Sequence, residues 1–298
     1  MKLLIIFNPN AGYGRSINKL EDIKAKFNDL GIETTYLPTS HQGHATELVA
    51  NTDLSGYDGL VAAGGDGTVF EVLNGLYKHP KEARIPLGLL PIGTGNAFAR
   101  ELDLEPGAWP GAIELLHQAR TRQIDVAHVE AADLSYYFLN IVGMGFFVEA
   151  SSSAKKLKFL GNAAYTLATL WKVLNLKSYR LEIDIDGQRL QGDNILVAVS
   201  NSRYTGTHFL IAPDAVTDDG LLDVTVVQKL TRRRLLKLFP TIYTGKHVLY
   251  EEVQTHKVKR IKIQSPASML LGPDGEFHGH TPAEITCLCQ NLTIFSQY

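Results

Sequence analysis

The sequence has little cysteine and no long apolar run. Its two cysteines, Cys287 and Cys289, are too few for a disulfide framework or a zinc site, so we expect plain buried or half-buried thiols. No window approaches the roughly 18 apolar residues of a membrane span, and the start MKLLIIFNPN lacks the cleavage site of a signal peptide. These absences favour a cytoplasmic protein.

A strong charge of one sign is also lacking. The 298 residues carry 29 Lys or Arg against 31 Asp or Glu, and a formal net charge of -2 gives no overall attraction to nucleic acid. The hydrophobic fraction of 45% is that of an ordinary globular chain, whose length suits two medium domains. We therefore expect two domains and no nucleic-acid partner.

The first 124 residues alternate strand-like runs with amphipathic segments. Strands are predicted at 2–7, 32–37, 59–63 and 86–91, and helices after Ser16 as N-cap, at about 43–53, after Thr68 and from about Asn96. This alternation is typical of a parallel sheet with right-handed crossovers. Residues 1–124 are therefore predicted to form an α/β domain.

Short alternating segments dominate from Asp125 onward. Strands are predicted at 136–142, 179–186, 194–200, 221–227 and 259–264, and helices near 161–176 and 232–245. Residues 125–284 are therefore predicted to form a β-rich sandwich domain, with the tail 285–298 packing back on the first domain. An exposed β edge in this half would allow a homodimer.

Three loops rich in small residues follow predicted strands of the first domain: Asn8–Gly12, Gly64–Thr68 and Pro91–Asn96. Parallel strands end at a common edge, where loop amides and helix N-termini attract phosphate. Three such loops predict a nucleotide site rather than ordinary turns. The common phosphate motifs GxxxxGK[ST] and GxGxxG are both absent.

The stretch AAGGDGTVFE (62–71) places a carboxylate, Asp66, where phosphate would repel it. A cation between the carboxylate and the phosphates removes the repulsion. The presence of Asp66 therefore predicts a Mg²⁺ ion held against the nucleotide phosphates. The alternative is that Asp66-Gly67 is an ordinary tight-turn dipeptide. The flanking glycines, Thr68 and Glu71 favour the magnesium interpretation.

These motifs resemble a known family. The segments NPNAG, GGDGT with Glu71, PIGTGNAFAR (91–100), Asp125, DDGLLD (218–223) and DGE (274–276) are together similar to the diacylglycerol kinase catalytic-domain family, which includes bacterial soluble lipid kinases and sphingosine and ceramide kinases. The resemblance implies an α/β domain like those of NAD kinases and phosphofructokinases, a β-rich lipid domain, and ATP with Mg²⁺ held between them.

The resemblance also implies roles for individual residues. A structural Mg²⁺ would be bound by Asp219 and by the carbonyl groups of Val216 and Leu221. Asp274 would be the general base, with Glu276 as the alternative base and Asp66 as a further catalytic residue. The implied ATP contacts are Asn8, Pro9, Asn10, Ala11, Gly12, Thr39, Gly65, Asp66, Gly67, Thr68, Val69, Phe70, Glu71 and Thr94. Without the resemblance, Pro273-Asp274-Gly275 is simply a turn.

The predicted activity is ATP- and Mg²⁺-dependent phosphorylation of a lipid hydroxyl group, with diacylglycerol or a related lipid such as phosphatidylglycerol as acceptor. The sequence departs from the family pattern at 203–208 and at Gly272-Pro273, and this leaves the identity of the lipid open. Three alternatives remain: a sphingoid-base or ceramide kinase, an NAD kinase-like enzyme acting on a soluble dinucleotide, and a non-catalytic lipid-binding regulatory protein.

A kinase of this kind would visit the membrane surface transiently. The segment TRRRLLKLF (231–239) would dock on anionic lipid through three arginines and three apolar residues, or it would be a plain surface helix. The residues of the docking hypothesis are Arg232, Arg233, Arg234, Leu235, Leu236 and Phe239. His278 and His280 share a strand face, but two ligands without a third are a weak metal site.

Overall fold

The computed structural model describes residues 1–105, 107–156, 172–173, 175–206, 209–274 and 276–297. The helix predicted near 161–176 lies largely outside the described residues, as does part of the segment 203–208. The chain divides into two compact units, one formed by residues 1–126 and 289–298 and the other by residues 127–288.

The regular elements are numbered in chain order. The strands are β1 (Lys2–Phe7), β2 (Glu33–Pro38), β3 (Gly59–Gly64), β4 (Leu87–Pro91), β5 (Thr121–Ala131), β6 (Ser135–Phe138), β7 (Ile141–Gly145), β8 (Tyr179–Ile185), β9 (Gln188–Ser200), β10 (Tyr204–Thr205), β11 (Phe209–Leu210), β12 (Leu222–Gln228), β13 (Val253–Val258), β14 (Arg260–Gln264), β15 (Gly272–Pro273) and β16 (Ala283–Phe295). The α-helices are α1 (Leu20–Asp29), α2 (His44–Asn51), α3 (Asp66–Leu76), α4 (Trp109–His117), α5 (Phe146–Lys156) and α6 (Arg232–Leu238). Short 3₁₀ turns lie at Ile17–Lys19, Lys81–Ala83, Phe98–Leu102, Phe239–Thr244 and Lys246–Leu249.

The first unit is built on a parallel sheet with the strand order β4-β3-β1-β2. Residues 3–6 of β1 are apolar at every position and fully buried, as expected of a strand that is covered on both faces. The end of β16 joins the outer side of β4, where Ile294 lies opposite Leu87 in parallel. The prediction of an α/β unit with a parallel sheet is confirmed.

Two helix boundaries in this unit differ from the prediction. Helix α3 begins at Asp66 rather than after Thr68, because Gly65 has extended backbone angles and is the N-cap. The helix predicted from about Asn96 is only the 3₁₀ turn Phe98–Leu102. Asn96 and Asp103, on either side of this turn, have φ angles of 54° and 56°, and left-handed backbone cannot continue a right-handed helix.

Ser16 precedes the first helix but does not cap it. Its hydroxyl group donates to the carbonyl oxygens of Asn8 and Pro9, at 2.9 and 2.8 Å, and makes no capping hydrogen bond. The chain passes through the 3₁₀ turn Ile17–Lys19 before α1 starts at Leu20. Ser16 therefore holds the loop after β1 instead of starting a helix.

The second unit contains an antiparallel sheet with the order β13-β12-β9-β8-β14-β16, in which β7 also pairs with β9 and β15 with β7. In β8 the buried residues Leu181, Ile183 and Ile185 alternate with more exposed ones, as expected of a strand with one covered face. The prediction of a β-rich second half is confirmed, and β13 stands at one end of the strand order.

The single strand predicted at 136–142 is two strands, β6 and β7. Asn140 lies between them and is 2% exposed, and its side-chain oxygen accepts a hydrogen bond from the Ser202 hydroxyl group at 3.0 Å. A buried side-chain amide needs such a partner, so the chain bends where the partner is available.

Both cysteines lie on β16, and neither forms a disulfide bond. Cys287 is half-buried as predicted, whereas Cys289 is exposed, so the prediction is wrong for that residue. Within the described ranges, no helix combines the length and the apolar character required to cross a bilayer.

Candidate functional site

The three loops predicted to bind nucleotide meet at the carboxyl edge of the parallel sheet. The Asn8 backbone N–H donates to the carbonyl oxygen of Ala63 at 2.9 Å, and the Gly93 N–H donates to that of Gly64 at 3.0 Å. In the strand order β4-β3-β1-β2, the chain passes from β1 to β2 in one direction and from β3 to β4 in the opposite direction. Such a change of direction leaves a crevice at the strand ends, which is where open α/β sheets bind ligands.

Close backbone approach explains the glycines of these loops. A Cβ atom on Gly93 would lie 2.3 Å from the Cα of Gly65, and one on Gly12 would lie 3.0 Å from the carbonyl oxygen of Ile92. Gly12 also has a φ of 59°, a conformation that favours glycine. The glycines therefore let the loops pack against each other, which keeps backbone N–H groups close together at this edge.

Side chains tie the first two loops together. The Asn8 side-chain amide donates to the Thr68 hydroxyl group at 2.9 Å, and its oxygen accepts from the Asn10 N–H at 2.9 Å. Thr68 is 5% exposed. The N–H of Thr39, a buried residue, donates to the carbonyl oxygen of Phe7 at 2.8 Å. The structure thus brings the predicted residues of the ends of β1, β2 and β3 to one edge.

Asp66 joins the second loop to the third. One carboxylate oxygen accepts a hydrogen bond from the Ala97 N–H at 2.6 Å. Burial raises the pKa of this carboxyl group from 3.8 to about 6. Hydrogen bonds from the backbone N–H groups of residues 96–98 lower the pKa, but burial has the larger effect. Since Asp66 is the first residue of α3, the tight-turn alternative is wrong, and the carboxylate positions the 93–98 segment.

Asn96 is a residue of this edge that the predicted contacts omitted. It is 4% exposed, and its side-chain oxygen is buried without a hydrogen-bond partner among the described residues. That oxygen would lie 2.9 Å from a Cβ atom on Gly93. Asn96 and Asp66 also line a cavity of about 10 Å³. Two side-chain oxygen atoms that can ligate a metal, beside a space of this size, fit a Mg²⁺ ion or its water ligand.

Four other predicted ATP contacts, Val69, Phe70, Glu71 and Thr94, lie in different environments. Both carboxylate oxygens of Glu71 accept backbone N–H groups, from Gly43 at 2.8 Å and from Ala45 at 3.1 Å, and so they cap the start of α2. Val69 and Phe70 are buried in α3, whereas Thr94 is exposed on the third loop. Glu71 therefore connects α3 to α2.

In the second unit, Asp274 lies in a turn that follows β15. The Glu276 N–H donates to the carbonyl oxygen of Pro273 at 2.7 Å, and Asp274 has a φ of 45°. The Asp274 carboxylate accepts from the Ile141 N–H at 3.1 Å, while the Asp274 N–H donates to the carbonyl oxygen of Ile141 at 3.0 Å. The turn predicted from composition is present at Asp274, while Gly275 lies outside the described residues, and the backbone pairing fixes the Asp274 carboxylate at the start of β7.

A buried polar cluster, Asn140, Asn201 and Ser202, adjoins this carboxylate through Ile141 and was missed by sequence reasoning. The Asn201 N–H donates to the carbonyl oxygen of Asn140 at 2.8 Å, and its side-chain amide donates to that of Leu139 at 3.0 Å. Each of the three residues is at most 2% exposed. The sequence feature that could have indicated this cluster is a pair of asparagines, at positions 140 and 201, at the ends of two apolar strands.

The two histidines of the HGH segment make no metal pair. His280 is 2.9 Å from the Asp133 carboxylate, and its hydrogen bond lowers the pKa of Asp133. The described residues contain no group of three or more histidine, cysteine, aspartate or glutamate side chains that could hold a metal ion. His278 lies beside the ring of Tyr136, at 6.4 Å between centroids.

The predicted ligands of the structural Mg²⁺ lie in the turn before β12. One carboxylate oxygen of Asp219 accepts from the Leu221 N–H at 3.0 Å, and the other is 2.9 Å from Lys257 Nζ. A divalent ion about 4 Å from an ammonium group is repelled by about 8 kcal/mol at an effective dielectric constant of 20. The ligand set therefore does not fit a bound Mg²⁺ while Lys257 is in place.

The arginine-rich helix α6 differs from the predicted docking arrangement. Arg234 makes a bidentate pair with Glu252, at 2.6 and 3.1 Å, so its charge is compensated. Leu235 and Phe239 are 5% and 8% exposed and belong to the core. The exposed basic and large hydrophobic side chains of the segment 232–249 are Arg232, Arg233, Lys237 and Lys246, with Leu236, Tyr243 and Leu249. These seven residues are called the basic surface below.

Comparison with known proteins gives one consistent result. The family model of the diacylglycerol kinase catalytic domain matches residues 2–129, and that of the YegS C-terminal NAD kinase beta sandwich-like domain matches residues 140–296. A diacylglycerol kinase of Bacillus subtilis strain 168 is 32% identical over 97% of this chain and 94% of its own. One of Staphylococcus carnosus strain TM300 is 30% identical over 98% and 94%.

Solved structures agree with the sequence matches. A Bacillus anthracis strain Sterne protein, provisionally described as a diacylglycerol kinase, aligns with a TM-score of 0.83 and 32% identity over 99% of this chain and 95% of its own. A diacylglycerol kinase of the same strain aligns with a TM-score of 0.73 and 25% identity over 99% and 97%. The fold comparison and the sequence comparison thus both find proteins described as diacylglycerol kinases.

Proposed function

The chain belongs to the diacylglycerol kinase catalytic-domain family, and on that basis we propose that it transfers the γ-phosphate of ATP to the hydroxyl group of a lipid alcohol. Diacylglycerol, or a related lipid such as phosphatidylglycerol, is the proposed acceptor. The observation that carries the proposal is the set of three hydrogen-bonded, glycine-rich loops at the carboxyl edge of the parallel sheet. Their backbone N–H groups and the N-terminus of α3 favour a bound anion.

The ATP phosphates would lie against the loops at 8–12, 64–68 and 93–96. The side-chain oxygens of Asp66 and Asn96 would hold the Mg²⁺ ion that accompanies ATP. When bound, that ion neutralises the charge that develops on the phosphates. Glu71 would support the ATP site indirectly, because its carboxylate fixes the start of α2 against α3.

Asp274 is the proposed general base. The alcohol oxygen forms a bond to the γ-phosphorus while the bond to the β-phosphate oxygen breaks, so the products are a phosphorylated lipid and ADP. The hydroxyl proton must go to an acceptor, and a carboxylate held by the Ile141 N–H is oriented to take it. Glu276, two residues on in the same turn, is the alternative base.

The test is transfer of labelled γ-phosphate from ATP and Mg²⁺ to lipid alcohols in mixed micelles, with diacylglycerol, phosphatidylglycerol, a sphingoid base and soluble NAD as acceptors. We expect label on a lipid with the wild type, its loss in Asp274→Asn, and its retention in Asp133→Asn, a carboxylate of the same unit that pairs with His280. Glu276→Gln decides between the two candidate bases. Label on NAD alone would overturn the lipid assignment.

We further propose that the protein is cytoplasmic and reaches its substrate by binding anionic membrane through the basic surface. The sequence from Lys229 to Tyr250 contains six lysines or arginines and no aspartate or glutamate. Arg232, Arg233 and Lys237 are exposed, as is Leu236 among them at 43%, and Leu249 farther along the chain is 80% exposed. Exposed cations next to exposed apolar side chains match an anionic lipid surface.

Sedimentation with phosphatidylglycerol vesicles tests the docking proposal. Each basic residue near such a surface contributes about 1 kcal/mol, so the double variant Arg232→Glu with Arg233→Glu should weaken binding at least roughly tenfold. Arg180→Glu with Arg189→Glu changes the same charge on exposed positions of β8 and β9 and is the matched control. Equal loss in both variants would show that net charge, rather than this surface, determines binding.

A further inference from the structure

The turn that leads into β12 is held by a side chain from another strand. Asp219 lies in this turn, and Lys257 Nζ approaches its carboxylate to 2.9 Å. The same ammonium group is 3.6 Å from the carboxylate of Asp223, the second residue of β12. Lys257 therefore bridges the turn and the strand that follows it.

The sheet register fixes the position of this lysine. Strands β12 and β13 are antiparallel, and Asp223 lies directly opposite Lys257. Side chains at directly opposed positions have Cβ atoms about 5 Å apart, so the ammonium group is brought to the acidic turn by the backbone pairing itself. The geometry does not depend on a long side chain reaching across solvent.

Partial burial strengthens the contact. The side chains of Asp219 and Asp223 are 27% and 14% exposed, and that of Lys257 is 38% exposed. Asp214 and Asp223 line a cavity of about 120 Å³ together with Lys257, which places a third carboxylate on the same side. Asp214 is exposed, but the side chains of Asp219 and Asp223 are partly buried, and a cation between them offsets a mutual repulsion that is only partly screened there.

We propose that the Lys257 ammonium group takes the place of a structural divalent metal ion at the Asp219 turn. The carboxylate has one oxygen on the Leu221 N–H and the other on Lys257, so both are already used within the chain. The turn is then ordered without metal, and the Mg²⁺ requirement of the protein is limited to the ion that accompanies ATP.

Thermal unfolding without nucleotide tests this proposal independently of any kinase activity. The wild type should have the same Tm in EDTA and in millimolar Mg²⁺. In EDTA, Lys257→Met should lower the Tm by roughly 2–4 °C, since the turn loses its cation. Added Mg²⁺ should restore the Tm of this variant, because the vacated position now accepts a metal ion.

Two further variants locate the effect. Lys262→Met removes a cross-strand lysine that pairs with Glu284 at 2.9 Å, and it should lose stability without gaining any response to Mg²⁺. Adding Asp219→Asn to Lys257→Met should abolish the response to Mg²⁺. The proposal is overturned if Mg²⁺ raises the Tm of the wild type and Asp219→Asn removes that rise. It is equally overturned if Lys257→Met gains no response to Mg²⁺.

Discussion

The buried carboxyl group of Asp66 should make folding stability depend on pH with a definite sign and size. Burial raises its pKa from 3.8 to about 6, although the backbone N–H groups of residues 96–98 lower it. A raised pKa means that the folded state binds the proton more tightly than the unfolded state. The stability that Asp66 contributes is therefore complete below pH 3.8 and is lost as the pH rises through 6.

The size of the effect follows from the shift of about 2 pKa units. One unit corresponds to 1.36 kcal/mol, so the wild type should lose roughly 2–3 kcal/mol of unfolding free energy between pH 4 and pH 7 through this group. Asp66→Asn cannot titrate and should lack this component. The difference in unfolding free energy between wild type and variant, from urea denaturation at each pH, isolates the contribution of Asp66.

Asp53→Asn is the control of opposite sign. Hydrogen bonds from Ser55 lower the pKa of Asp53, so its contribution to stability is present at neutral pH and is lost in acid. The difference for Asp66 should fall between pH 4 and pH 7, whereas that for Asp53 should be nearly constant in this range and should decrease only when the pH falls below 3.8. A difference for Asp66→Asn that stays flat from pH 4 to pH 7 would refute the reasoning from burial.

Three substitutions test other contacts. Glu71→Gln replaces a carboxylate that accepts two N–H groups at the start of α2, and we expect a loss of about 1–2 kcal/mol in unfolding free energy by urea denaturation. Gly93→Ala places a Cβ atom 2.3 Å from the Cα of Gly65, so ATP binding by calorimetry should be lost or strongly reduced. Ser202→Ala removes the hydroxyl group that donates to Asn140 and should cost about 1–3 kcal/mol in the same denaturation assay.

Matched controls separate these effects from general damage. Glu21→Gln changes an exposed helical glutamate and should be nearly neutral. Gly192→Ala adds a Cβ atom with no atom within 4 Å and should leave ATP binding unchanged. Normal ATP affinity in Gly93→Ala would contradict the close packing of the second and third loops. A neutral Ser202→Ala would show that the Asn140 oxygen has another donor.

The parallel sheet and its three loops could be predicted because their signals are local. Residues 2–7 are an apolar run that ends in NPNAG, and residues 59–63 are one that ends in a glycine pair. Such a run predicts a strand covered on both faces, and the glycines predict close backbone approach where it ends. The structure shows both features in the same places.

Boundaries set by competing hydrogen bonds were not predictable in this way. Ser16 has the composition of an N-cap, yet its hydroxyl group is used by the carbonyl oxygens of the preceding loop. Asn96 was expected to begin a helix, but its left-handed backbone leads into a short 3₁₀ turn, and the N–H groups of residues 96–98 face Asp66. The partner of a small polar side chain depends on what the fold places beside it.

The sequence by itself determined the type of each unit, the order of the loops and the family to which the chain belongs, because these depend on local composition and on motif spacing. Only the tertiary structure decided what the acidic side chains contact. Asp66 and Ala97 are 31 positions apart, Glu71 and Gly43 are 28 apart, and Lys257 and Asp219 are 38 apart. Contacts between residues so distant along the chain are set by strand register and helix packing, which no local pattern specifies.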